Sequence, residues 1–143
     1  MPDTHEGGCL CGAVRYRVTG KPSSTGICSC IFCKRRTGSA FGVGAYFDDG
    51  SALQITKGTL KTYEYRSDET RRWLRMEFCP NCGTSVTWTA EWQPGGRAVA
   101  LGTFDEPDLV QPEWAVWTRS ALKWAVLPTS VEAHQTDPEL KPE

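Results

Sequence analysis

The chain has 143 residues, 39% of them hydrophobic, with 16 basic and 17 acidic side chains and a formal net charge of −1. That length is one domain's worth and can bury a core without disulfides, while the near-neutral charge argues against a general phosphate-backbone binder and against an electrostatic membrane anchor. The start, Met1 to Glu6, lacks a basic segment followed by an apolar stretch, and no run is long and apolar enough to span a membrane; a soluble, cytoplasmic protein with no nucleic-acid or membrane partner is expected.

Residues 13–19 alternate, so Val14, Tyr16 and Val18 should face a core while Arg15 and Arg17 face water. Residues 33–37 have room for one helical turn. Further strands are expected at 41–47, 52–56, 60–66, 73–78, 85–89 and 98–103. Turn signals separate many of them: Asp48-Asp49-Gly50, Lys57-Gly58, Pro80-Asn81 and Pro94-Gly95-Gly96. Residues 105–117, with Pro107 and Pro112, read as a long ordered loop, and 132–143 as a polar, frayed tail beyond a single domain at 1–131. No repeat and no long helical period is present. The pattern predicts a mostly β fold, a sheet pair or a barrel.

The chemistry lies in seven cysteines. In a reducing cytoplasm close cysteine spacings point to metal binding or catalysis rather than to disulfides, and an odd number cannot pair completely within one chain. The most specific group is Cys79-Pro80-Asn81-Cys82-Gly83. Proline fixes φ on the way into this turn and glycine permits a left-handed exit, so two sulfurs converge and backbone N–H groups can point at them. Such a turn typically supplies half of a tetrahedral zinc site; the competing reading is a pair of core cysteines. Cys9-Leu10-Cys11-Gly12 supplies two more sulfurs, and the expected closed site is Cys9, Cys11, Cys79 and Cys82 around one zinc.

Cys28, Cys30 and Cys33 place three thiols within six residues. Three protein ligands with an open fourth position is the pattern of a catalytic zinc, where a bound thiol or water becomes acidic. Lys34, Arg35 and Arg36 follow directly, either as counterions to these sulfurs or as a solvated surface run. One zinc on a different set of four cysteines, with the rest idle, is a further alternative. His5 and His134 read as ordinary exposed histidines. Gly42-Val43-Gly44 lacks the third glycine and the following helix of a dinucleotide fingerprint. Of the six tryptophans, Trp73 and Trp88 are expected in the core and Trp117 in a cleft wall, with Trp114 and Trp124 nearby around Arg119.

From Gly7 to about Leu127 the chain resembles the family of glutathione-dependent formaldehyde-activating enzymes, which includes centromere protein V. The resemblance rests on Gly8-Cys9-Leu10-Cys11-Gly12-Ala13-Val14-Arg15-Tyr16, on the Cys28 to Phe41 segment with Arg35-Arg36-Thr37-Gly38-Ser39, on Phe78-Cys79-Pro80-Asn81-Cys82-Gly83-Thr84, and on Trp117-Thr118-Arg119-Ser120 with Trp124. It implies a β-tent of antiparallel sheets with zinc knuckles. It implies a structural zinc on Cys9, Cys11, Cys79 and Cys82, and a catalytic zinc, open to loss of its metal, on Cys28, Cys30 and Cys33. It also implies a carbon–sulfur lyase that interconverts glutathione plus formaldehyde with S-hydroxymethylglutathione. A backbone N–H, the metal or Arg119 are the expected donors to the oxyanion of that addition. Ser29 stands where the family often has histidine, and the chain is shorter than the founding enzyme, which has extra segments that help recognise glutathione. A non-catalytic zinc module that binds another protein, and a thiol-redox or metal-handling role, are the competing functions.

Overall fold

The computed structural model describes residues 3–137. Strands β1 (Thr4–Gly8), β2 (Arg15–Thr19) and β5 (Leu53–Lys57) form a three-stranded antiparallel sheet in the order β1-β2-β5. The second sheet has eight strands. Its members are β3 (Ser24–Cys28), β4 (Gly42–Phe47), β6 (Lys61–Arg66), β7 (Trp73–Phe78), β8 (Ser85–Ala90), β9 (Arg97–Ala100), β10 (Trp114–Val116) and β11 (Glu132–Ala133), in the order β11-β10-β3-β4-β9-β8-β7-β6. The α-helix, α1 (Ile31–Thr37), follows β3 directly. The protein is mostly β, as expected.

The alternation through β2 and the residue before it places Val14, Tyr16 and Val18 at 1%, 0% and 0% exposure, with Arg17 exposed. They pack with Ala45, Phe47, Leu53, Val86, Val99 and Phe104 into the main core between the sheets. Tyr16 meets Phe104 edge-on, ring centroids 5.8 Å apart, and its buried hydroxyl bonds Thr103 Oγ1 at 2.8 Å. A β-carbon on Gly7 would collide with that hydroxyl and with the Thr103 carbonyl, so only glycine lets β1 lie against this corner.

The opposite face of the large sheet is aromatic. Tyr46 on β4 and Trp88 on β8 both pair in register with the small Ala98 on β9, and their rings meet edge-on over it with centroids 6.0 Å apart. Trp114 on β10 stands opposite Gly26 on β3, where any β-carbon would overlap the indole. The four-strand segment β10-β3-β4-β9 is thereby roofed by rings on the side that carries α1.

Several elements differ from the sequence expectation. β1, β3 and β10 were not expected as strands, and β10 lies inside the stretch read as a loop. β10 runs parallel to both β3 and β11, so this end of an otherwise antiparallel sheet is mixed. Parallel neighbours need a long crossover, which residues 117–131 supply between β10 and β11. The tail is not loose at its start: β11 pairs with β10, and the His134 N–H donates to the Ala115 carbonyl at 2.8 Å. The remainder of that expected tail, 138–143, lies outside the described residues. Trp73 is half-buried beneath Arg75, 4.5 Å from its ring centroid, rather than in the core, and Trp124 is 73% exposed. Trp88 is in the core, at 3% exposure. No described helix is long and apolar enough to cross a membrane.

Candidate metal centres

The fold brings the seven cysteines into two groups, Cys9-Cys11-Cys79-Cys82 and Cys28-Cys30-Cys33, with all sulfurs of each group within 4.8 Å of one another. None is in a disulfide.

The first group joins two turns distant in sequence. After β1 the chain closes a tight turn in which the Gly12 N–H donates to the Cys9 carbonyl at 3.2 Å, with Gly12 at φ 79°. The second turn links β7 to β8; there the Gly83 N–H donates to the Cys79 carbonyl at 2.9 Å, with Gly83 at φ 81°. Tetrahedral zinc with Zn–S bonds of about 2.3 Å requires sulfurs about 3.8 Å apart. Cys9 and Cys11 are 3.7 Å apart, and Cys11 and Cys79 3.8 Å. The four sulfurs fit the ion.

The sulfurs are surrounded by hydrogen-bond donors, which favour thiolate at Cys9 and Cys82, while at Cys79 the Cys82 and Asn81 N–H groups that lower it are outweighed by burial and by the Cys9 and Cys82 sulfurs, which push it up. Val14 N–H donates to Cys9 Sγ at 3.2 Å, and Asn81 and Cys82 N–H both donate to Cys79 Sγ at 3.4 Å. The Asn81 side-chain amide reaches Cys11 Sγ at 3.3 Å. Thr84 ties the turns together: its hydroxyl oxygen accepts from Leu10 N–H at 3.1 Å and lies 3.2 Å from Cys82 Sγ. The Thr84 hydroxyl and backbone N–H bring Cys82 down to about 5. Burial pushes Cys9 up, yet the Val14 N–H and the Cys79 and Cys11 sulfurs hold it below the ordinary thiol value. Asn81 and Thr84 were not singled out in the sequence; their positions beside the two cysteine turns are the signal that finds them.

The second group sits where β3 runs into α1. Cys30 caps the helix, its sulfur accepting the Cys33 N–H at 3.4 Å, and Gly38 ends it in the left-handed conformation at φ 66°. Cys28 and Cys33 are buried and Cys30 half-buried. Hydrogen bonds from the Cys28 and Cys33 thiols, with two backbone N–H groups, pull Cys30 down to about 3 despite its burial. The hydrogen bond with Cys28 lowers Cys33, but the one with Cys30 and burial together push it up to about 12. Among the described residues no His, Asp, Glu or further Cys joins these three.

The three basic residues that follow separate by role. Arg35 is exposed. Lys34 donates to the Ser120 carbonyl at 2.6 Å, pinning α1 to the turn after Trp117. Arg36 turns inward. Its guanidinium stacks 4.1 Å over the Trp88 ring and lies 5.9 Å from the Phe32 centroid, and Nη1 bonds Ser85 Oγ at 3.3 Å. Its Nε and Nη2 are buried and have no hydrogen-bond partner among the described residues. A β-carbon on Gly42 would fall 2.5 Å from Arg36 Nη2 and 3.5 Å from Cys33 Sγ, so the glycine opens the space in which cation and sulfur approach. A buried cation short of partners on the Cys33 side of the trio is the environment an anionic thiolate–metal cluster needs.

These cysteines form the floor of a cavity of about 310 Å³. Its lining includes the apolar and aromatic side chains of Tyr46, Tyr65, Leu74, Trp88, Trp92, Trp114, Val116 and Trp117, together with the charged or titratable Glu69, Arg72, Glu132, His134 and Asp137. Trp117 meets the cleft expectation: it is 7% exposed, packs with Cys28, Phe32 and Cys33, and holds a left-handed backbone at φ 58°, uncommon for a bulky residue. Arg119 is engaged elsewhere, paired with Glu69 at 2.9 Å and 5.0 Å from the Trp117 ring centroid, and is not part of the lining. His134 corrects the sequence reading: it is half-buried in the cavity lining, with Nε2 3.2 Å from Glu132. His5 pairs with Val18 inside the small sheet and joins neither cysteine group. Tyr46, Tyr65 and Trp92 were missed, because each comes from a different strand or turn and no local motif joins them.

The family described as glutathione-dependent formaldehyde-activating enzyme matches residues 4–120, a span that contains both cysteine groups. Among solved structures the chain is similar to a Rhodobacter sphaeroides protein from a structural genomics programme, with 25% sequence identity and a TM-score of 0.58, over 76% of this chain and 98% of that one. With a matched span of that length and both clusters inside it, the chain belongs to the glutathione-dependent formaldehyde-activating enzyme family.

Proposed function

We propose that the protein is a zinc-dependent carbon–sulfur lyase-type enzyme acting on a small thiol adduct, such as the adduct of glutathione and formaldehyde for which its family is described. Cys9, Cys11, Cys79 and Cys82 would hold a structural zinc; Cys28, Cys30 and Cys33 would hold the catalytic one. The observation that carries this reading is the difference in ligand number: four sulfurs in the first group, three in the second, with the three at the floor of a cavity. A closed site leaves an ion nothing further to bind, whereas three ligands leave a position for substrate.

In the synthetic direction a thiol sulfur attacks the aldehyde carbon. The sulfur lone pair forms the C–S bond, the C=O π pair moves to oxygen, and that oxygen takes up the proton the thiol gave up. Cleavage reverses these steps, and no oxidant or reductant is involved. Zinc at the three-cysteine site would acidify the incoming thiol. The chain's residues supply the rest. Arg36 adds positive charge beside the sulfurs, and the aromatic walls exclude water, which strengthens each charge interaction inside. Tyr65, kept protonated by burial and by nearby acidic groups, and the His134 ring are the donors lining the cavity that suit a developing oxyanion. The free cysteines agree with a reducing, cytoplasmic setting.

Cys30→Ser tests the reading. Adduct formation from formaldehyde and a panel of thiols should vanish while the far-UV circular dichroism spectrum is retained. Turnover equal to that of the wild type would refute a catalytic role for the trio, and no turnover by the wild type with any thiol–aldehyde pair would favour a zinc module that only binds a partner.

A further inference from the structure

Residues 67–72 join β6 to β7 in a turn that is closed by its own hydrogen bonds. Ser67 N–H donates to the Arg72 carbonyl at 2.9 Å, and Ser67 Oγ accepts from the Glu69 and Thr70 N–H groups, each at 3.2 Å. Arg72 N–H donates to Thr70 Oγ1 at 3.1 Å. The turn thus fixes the backbone from which Arg72 reaches into the cavity lining, and among the described lining residues Arg72 is the one lysine or arginine.

The partner of Arg72 is Asp137, which follows β11 and lies beyond the span that matches the family. The two stand 3.8 Å apart, too far for a hydrogen bond, although their side chains are only 17% and 21% exposed. The neighbouring pairs are closer and more exposed: Arg119 meets Glu69 at 2.9 Å, and His134 meets Glu132 at 3.2 Å. A guanidinium presents a planar fork of N–H donors that matches a carboxylate edge to edge. A mostly buried guanidinium whose own carboxylate stands off has room for a better-placed one. Asp137 has a further interaction besides this pair, so it keeps a partner when Arg72 turns to a ligand. The surrounding charge does not oppose an incoming carboxylate, because Arg119 offsets Glu69 and Arg36 lies stacked on Trp88.

We propose that Arg72 is the specificity-determining residue of the cavity, binding a carboxylate of the thiol whose sulfur reaches Cys28, Cys30 and Cys33. The assignment rests on the reading of that trio as the reacting end. It gives a physical basis for choosing a glutathione-type thiol, which carries two carboxylates and one ammonium group, over a neutral one. Arg72 holds the thiol by its carboxylate and touches none of the reacting atoms.

The test is calorimetric titration of the zinc-loaded protein. The ligands are glutathione, its analogue with a methyl group in place of SH, and 2-mercaptoethanol, a thiol without a carboxylate. Arg72→Gln should weaken glutathione binding at least about tenfold, leave 2-mercaptoethanol within about twofold, and leave the zinc content unchanged. Arg72→Lys, which keeps the charge but not the fork, should fall between wild type and Arg72→Gln. Three outcomes would overturn the inference and leave the trio intact: equal weakening of glutathione and 2-mercaptoethanol, equal glutathione affinity in wild type and Arg72→Gln, or a wild type that binds glutathione no better than 2-mercaptoethanol. Wild-type binding of the methyl analogue as tight as that of glutathione would instead show that sulfur is not recognised. That result would overturn the reading of the trio, and with it the role of Arg72 in choosing a thiol.

Discussion

The two cysteine clusters are built from the same side chain and differ in almost everything around it. The four-cysteine cluster joins turns separated by most of the fold: Cys11 and Cys79 lie 3.8 Å apart across 68 residues of chain. Its sulfurs receive backbone N–H groups, the Asn81 amide and the Thr84 hydroxyl, and Cys11 is exposed. The three-cysteine cluster is local, spanning one strand end and the start of one short helix, and it faces a cavity with a buried guanidinium behind it. A site that must hold two distant turns together spends every ligand position on the chain. A site that must accept a molecule keeps its protein ligands on one compact element and its surroundings shaped for a guest.

The largest effect should come from breaking the first cluster. Cys79→Ser removes a fully buried sulfur that two backbone N–H groups address. Structural zinc in small domains contributes about 10–16 kcal/mol of apparent binding free energy, which counts toward folding. Cys79→Ser should therefore yield little soluble folded protein, or a thermal midpoint lowered far more than by Cys30→Ser. Comparable midpoints for the two variants would erase the proposed division between structural and reactive clusters.

A smaller effect should come from the cation behind the second cluster. Arg36→Met keeps much of the side chain's bulk over Trp88 but removes the charge beside Cys33, whereas Arg36→Lys keeps the charge. In chelator competition, Arg36→Met should release one of two metals at about tenfold lower chelator concentration, with Arg36→Lys intermediate. Identical release curves for the three proteins would mean that Arg36 serves packing alone.

The smallest effect belongs to an exposed clip near the first cluster. Arg15 on β2 forms a two-pronged pair with Asp105, and its guanidinium holds the Asp105 carboxyl below the ordinary value. Because the folded value is depressed, the pair's contribution is present above the unfolded value of about 3.9 and is lost as pH falls through the folded one. Asp105→Asn should cost less than about 1 kcal/mol in denaturant unfolding near neutral pH, and the difference should shrink on acidification below that range. A loss comparable to that of Cys79→Ser would mean that charge, not sulfur, secures this side of the fold.

Legibility in the sequence followed locality. The inward row of Val14, Tyr16 and Val18 and the division of cysteines into four and three could be read directly, because strand alternation and Cys-Pro-x-Cys-Gly turns express themselves within a few residues. β1 could not, since Thr4–Gly8 ends in two glycines and exists as a strand through its pairing with β2 and the room Gly7 leaves for Tyr16. β10 was hidden behind Pro107 and Pro112, and its place is set by β3 and by the fit of Trp114 over Gly26. Of Lys34, Arg35 and Arg36, only the position of Gly42 in space shows which one faces the sulfurs. The cavity wall draws on β4, β6, β7, β8 and β10, so its residues share no spacing that a single pass along the chain could detect.

The central claim is the sharing of sulfur between a closed and an open site, and metal counting tests it directly. Elemental analysis of wild type beside a Cys28→Ser/Cys30→Ser double variant should give about two zinc ions per chain falling to one, with the fold retained. Equal zinc content in the two proteins, or loss of all zinc together with the fold in the double variant, would contradict it.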